Sequence, residues 1–104
     1  MKRYKVEMTQ EALADMEQLY RYIADTLLSP ENAMGQYNRI AEAILKLDKL
    51  PERFRIMDSE PEHSRGLRRM LVDNYSIFYV INEERVIVTG VLYTPSDIER
   101  RLKQ

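Results

Sequence analysis

The stretch "YSIFYVINEERVIVTGVLY", residues 75–93, constrains the fold more than any other part of the chain. Tyr75, Ile77, Tyr79 and Ile81 take every second position, the period of a strand with one buried face. A second run, Arg85 to Tyr93, follows after Asn82, Glu83 and Glu84, and this polar triplet predicts a hairpin loop between two antiparallel strands. Just upstream, Arg68 to Asp73 reads as one more strand.

The N-terminal half reads differently. "RYKVEMT" alternates Tyr4, Val6 and Met8 with charged residues, which predicts a first strand over residues 2 to 8. Thr9 is placed to cap the helix that follows, because its hydroxyl can accept from a free N–H at the helix start. Leu13, Met16, Tyr20, Ile23 and Leu27 then recur at steps of three and four, so the spacing predicts an amphipathic helix over about residues 10 to 28. Ser29 and Pro30 form a restart signal, with Ser29 as cap and Pro30 at the first helical position. Ala33, Tyr37, Ile40, Ile44 and Leu47 carry a second helix to about Leu50, where Pro51 stops it. Helices joined this tightly predict a helical hairpin.

Residues 51 to 64 hold two prolines and show no clean period, and they read as a surface loop. "TPSDIERRL" repeats the restart logic: Thr94 as cap, Pro95 at the first position and basic residues near the end of a short terminal helix. The order is β-α-α-β-β-β with that helix appended. This is an α+β arrangement in which a helical hairpin covers one face of a mostly antiparallel four-stranded sheet. With 104 residues, the chain reads as a single domain spanning 1–104.

Composition narrows the function. There is no cysteine, so disulfides, thiolate metal sites and cysteine nucleophiles are excluded and a reducing compartment is permitted. No apolar h-region follows Lys2 and Arg3, and no run approaches the ~18 apolar residues of a membrane span. A cytoplasmic location is the expectation. Sixteen Lys and Arg stand against 17 Asp and Glu, a net charge of −1, so any attraction for nucleic acid must come from a local patch.

The three glycines are isolated and there is no Cys/His cluster, so neither a phosphate-cradling loop nor a metal site is expected, and no cofactor is implied. His63, alone among charged and proline residues, reads as exposed loop. The carboxylates Asp58, Glu60 and Glu62 read as loop solvation. The arginines weigh more. Arg65 precedes the strand, and a period of two puts Arg68 and Arg69 on opposite faces. One of them, with Arg65 and Arg53 or Arg55, would form a basic surface able to grip phosphate or carboxylate groups. The alternative is a set of ordinary solvated strand residues paired with the acids of residues 52 to 73. Tyr75, Tyr79 and Tyr93 lie on neighbouring strands, either as core aromatics with hydroxyls reaching the surface or as groups that stack on a base or move a proton. Tyr93, at the end of the last strand, is placed to project beyond the sheet.

"LPERFR", the "GLRR" entry to a strand, "YSIFYVI" and the closing "VLYTPSDIERRL", in this order and spacing and behind a helical hairpin, resemble the RelE/ParE toxin superfamily, the small toxins of type II toxin–antitoxin modules. The resemblance covers nearly the whole chain. It implies a compact toxin neutralised by a small antitoxin, acting in the leading reading as a ribosome-dependent mRNA endoribonuclease and in the alternative as an inhibitor of DNA gyrase. The nuclease members activate a ribose 2′-OH without a metal, which implies cations and a general acid or base near the scissile phosphate. On that resemblance Arg65, Arg68, Arg69 and Tyr93 are the candidate catalytic residues. Arg69 falls at a basic strand position of the nuclease site, and Tyr93 falls near a terminal aromatic or histidine position. The partners implied are the antitoxin, set against the arginine-bearing sheet surface, and either the ribosome with mRNA or gyrase. Two positions depart from the nuclease pattern, Ser76 and Ser96, where nuclease members carry arginine. The third reading is a member that has lost its cations and serves only to bind protein.

Overall fold

The computed structural model describes residues 2–93; the expected terminal helix from Thr94 onward lies outside them. Four strands, β1 (Lys5–Met8), β2 (Arg68–Val72), β3 (Tyr75–Asn82) and β4 (Arg85–Tyr93), form one sheet in the order β1-β4-β3-β2. β1 runs parallel to β4, and the other two pairings are antiparallel. The helices α1 (Gln10–Arg21) and α2 (Pro30–Leu45) pack on one face of this sheet. The expected α+β architecture is therefore what the chain adopts.

The core sits between these two layers. Met70, Ile77, Tyr79, Val86, Val88 and Val91 point at the helices and meet Ala12, Met16, Leu19, Ile40, Ile44 and Leu47. The alternation seen in residues 75–81 is thus the alternation of one buried face. In β4 that alternation changes phase: Tyr79 pairs with Val88 but Phe78 pairs with Gly90, leaving Thr89 as an extra residue. The bulge lets Val86, Val88 and Val91 all face the core, although no strict period of two connects them.

Thr9 caps α1 as expected, its Oγ1 accepting from the Ala12 N–H at 3.1 Å. Several boundaries differ from expectation. β1 begins at Lys5, three residues later than predicted. α1 widens after Arg21 into a π-helical turn, Tyr22–Thr26, closed by the Leu27 N–H on the Tyr22 carbonyl at 3.1 Å, and Leu28 then takes φ 54. Ser29 makes no side-chain cap; the backbone alone starts α2, through the Ala33 N–H on the Ser29 carbonyl. α2 gives way at Lys46 to a 3-10 turn, Lys46–Asp48, and Leu50 with φ 49 turns the chain into Pro51. The chain has already left the helix at the extended Lys49, and Pro51 opens the next 3-10 turn at its first position, where the missing N–H costs nothing.

Residues 51 to 64 are more ordered than a plain surface loop. A 3-10 turn spans Pro51–Arg53, Ile56 bridges to Arg68 beside β2, and the Met57 N–H donates to the Leu67 carbonyl at 2.8 Å. Among the described residues no helix is long and apolar enough to cross a membrane.

Candidate functional site

Arg68 and Arg69 do leave the sheet on opposite faces, as their adjacency in β2 requires. Arg68 pairs with Tyr79 and shares the helix-side face with Met70. Its Nη1 donates to the carbonyls of Phe54 at 2.6 Å and Glu52 at 3.2 Å. Beside it the Tyr79 hydroxyl, fully buried, donates to the Pro51 carbonyl at 2.5 Å. Arg53 performs the same task one step earlier, its Nη1 reaching the carbonyls of Lys49 at 2.6 Å and Leu50 at 3.0 Å. Three side chains, Arg53, Arg68 and Tyr79, thus supply donors to the backbone carbonyls of residues 49–54. Burial pushes the Tyr79 hydroxyl up to about 12, against a smaller opposing pull from Arg68 and Arg53.

On the other face the Arg69 Nε donates to the Ser76 Oγ at 3.0 Å, next to buried Phe78 and exposed Leu71. Arg65 stands in the turn before β2, held through its backbone N–H to the Pro61 carbonyl at 3.1 Å. Arg55 pairs with Asp58 at 3.3 Å, both largely exposed. The acids of this segment divide. Glu60 accepts from the Ser64 hydroxyl and from the Ser64 N–H, which hold its carboxyl below the usual range. Glu62, expected to be solvated, is instead buried, because the turn folds its carboxylate onto the Ser59 hydroxyl at 2.6 Å. His63 is exposed, 3.7 Å from Glu60.

Tyr93 pairs with Tyr75 at the far end of the hairpin, and the two rings meet edge to face at 5.6 Å. Tyr75 faces the helices, so Tyr93 does too, while Arg69 lies on the opposite face and three register steps away, about 10 Å along the strands. The four candidate residues therefore do not converge. Arg65 lies within the 51–67 segment and Arg68 borders it, Arg69 lies on the face away from the helices, and Tyr93 belongs to the helix side. Among the described residues no three His, Asp or Glu side chains gather to hold a metal.

Tyr93 lines a different feature that sequence reasoning missed. A groove of about 800 Å³ opens between the helical layer and the end of β4, walled by Asp15, Tyr22 and Glu31 on one side and by Val91 and Tyr93 on the other. Tyr22 and Tyr93 remain 55% and 45% exposed at its rim, which marks it as a surface built of aromatic rings and left open. The π-helical turn at Tyr22 forms part of its wall; such turns frequently sit at functional positions. Only the position of Tyr93 at a strand end hinted at it in the sequence.

The α+β architecture agrees with what comparison with known proteins returns. Residues 6–97 match the family described as the ParE toxin of the type II toxin–antitoxin system parDE, and the chain belongs to that family. No curated protein matches the sequence. Among solved structures, the chromosomal ParDE toxin–antitoxin system from P. aeruginosa is similar at 19% identity and a TM-score of 0.75, covering 89% of this chain and 98% of that one. The RelBE2 toxin–antitoxin complex from Mycobacterium tuberculosis is similar at 20% identity and a TM-score of 0.60, covering 89% and 93%. A conserved protein from Helicobacter pylori shares the fold at 14% identity and a TM-score of 0.51, covering 88% and 94%.

Proposed function

We propose that this ParE-family toxin is neutralised by a cognate antitoxin and acts on a protein target, DNA gyrase, and not by cleaving mRNA on the ribosome. The observation that carries this reading is the separation of Arg68, Arg69 and Tyr93. Metal-free cleavage at a ribose 2′-OH needs a cation and a proton-transfer group beside one phosphate. Here Arg68 is spent on loop carbonyls, Arg69 leans on Ser76, and Tyr93 lies on the other face of the sheet. A net charge of −1 also forgoes the long-range attraction that a ribosome-directed nuclease uses. The antitoxin is expected against the arginine-bearing edge, where carboxylates can meet Arg65 and Arg69.

The test is induced expression in a bacterium, followed by assay of the purified toxin on gyrase. The expected outcome is growth arrest with DNA breaks, inhibition of supercoiling in vitro, and intact transcripts. Transcripts cut within A-site codons, with cutting abolished in Arg69→Ala, would replace this reading with the nuclease one. Growth untouched by folded protein would favour a binding module without toxicity.

A further inference from the structure

β1 and β4 differ in length, and the difference leaves a slot in the sheet. β1 ends where Met8 pairs with Val88, and the Thr9 N–H closes the ladder on the Val88 carbonyl at 3.0 Å. β4 continues to Tyr93, and among the described residues no strand flanks its last residues on that side. The Val91 N–H points into this slot, where the carboxylate of Asp15 on α1 accepts it at 2.9 Å. Backbone groups alternate sides along a strand, so the Val91 carbonyl and the Tyr93 N–H point the same way. They open onto the groove lined by Tyr22, Glu31 and Tyr93.

We propose that an extended segment of the antitoxin enters this groove and pairs with β4 in line with β1, donating to the Val91 carbonyl and accepting from the Tyr93 N–H. This rests on the antitoxin partnership proposed above and assigns it a second contact, separate from the arginine-bearing edge. Asp15 already satisfies the Val91 N–H, so it ends the added strand on the α1 side. Added strands gain affinity from the main chain and specificity from pockets for alternate side chains, and the Tyr22 and Tyr93 rings provide such walls for apolar residues. Charge selects the rest. Arg39, the cation among the lining residues, is held by Asp73, whereas the exposed Glu31 brings a carboxylate, so the segment carries Lys or Arg beside its apolar residues.

The experiment uses the toxin co-purified with the product of the adjoining reading frame, read by amide hydrogen exchange and by binding of variants. The expected result is at least tenfold slower exchange of the Tyr93 amide in the complex. Tyr93→Pro, which removes that N–H without touching the β3 ladder, should weaken binding tenfold or more; Tyr93→Phe should bind as the wild type does. Glu31→Lys, an exposed change in the first turn of α2, should weaken it severalfold. If the complex forms while Tyr93 exchange is unchanged and Tyr93→Phe, Tyr93→Pro and Glu31→Lys all bind normally, the inference fails and the antitoxin reading stands. If protection appears with toxin concentration alone, a second copy fills the groove and the inference fails. If no complex forms, both fall.

Discussion

Arg69 and Ser76 meet diagonally across the β2–β3 ladder, the Arg69 Nε donating to a Ser76 hydroxyl that is itself fully buried. The serine that stands where nuclease relatives are expected to carry arginine is therefore a packing position in this chain. Ser76→Arg should not create a phosphate-binding cation. It should place a second guanidinium in closed space beside Arg69, at a cost of about 3 kcal/mol from overpacking and an unpaired charge. Urea unfolding measures that loss, and a folded Ser76→Arg protein of wild-type stability would show that the position tolerates a cation.

Tyr79→Phe should lower stability by about 1–2 kcal/mol at neutral pH, because the Pro51 carbonyl is left without its donor. The pH dependence has a defined sign. The hydroxyl is held protonated in the fold up to about 12, while the unfolded chain ionises from about 10. Its contribution is complete below pH 10 and is lost as pH rises toward 12. The stability difference between wild type and Tyr79→Phe should therefore narrow across that window in paired alkaline unfolding curves.

Thr9→Ala should cost about 1 kcal/mol, since the Ala12 N–H loses its acceptor and the junction between β1 and α1 loses its cap. Thr9→Ser keeps the oxygen and should recover most of the loss. Thermal unfolding of the two variants side by side makes the comparison.

Thr9 also shows which parts of the architecture a reader of the sequence can reach. A cap acts within four residues, and the alternation of Tyr75, Ile77 and Tyr79 acts within one strand, so both are written locally. The bulge at Thr89 is not, because it exists only relative to Phe78 and Tyr79 on the next strand. The role of Arg68 is non-local for the same reason: its acceptors lie 14 and 16 residues upstream, in a segment whose lack of periodicity reads as loop. The opposite faces of Arg68 and Arg69 followed from adjacency alone, but that Tyr93 faces away from Arg69 depends on the bulge and the hairpin register together. The groove beside Tyr93 depends on β4 outlasting β1, a difference that no single segment contains.

Asp73, at the turn between β2 and β3, ties that turn to α2. Its Oδ2 accepts from the Arg39 Nε at 2.8 Å and from the Gln36 Nε2 at 2.9 Å, and these two bonds, Arg39 first, hold its carboxyl below the usual carboxylate range. A depressed carboxyl contributes stability above its unfolded value near 3.8 and loses it as pH falls through the folded value. Asp73→Asn is the suitable probe, because Asp73 has φ 53 and asparagine adopts that left-handed conformation as readily as aspartate does. The variant should be less stable than wild type at pH 7. The difference should close as acid unfolding proceeds below the usual carboxylate range, where the wild-type carboxyl is protonated and retains only neutral hydrogen bonds. A gap that stays constant from pH 7 to pH 2 would show that the charge on Asp73 does not anchor the turn to the helix.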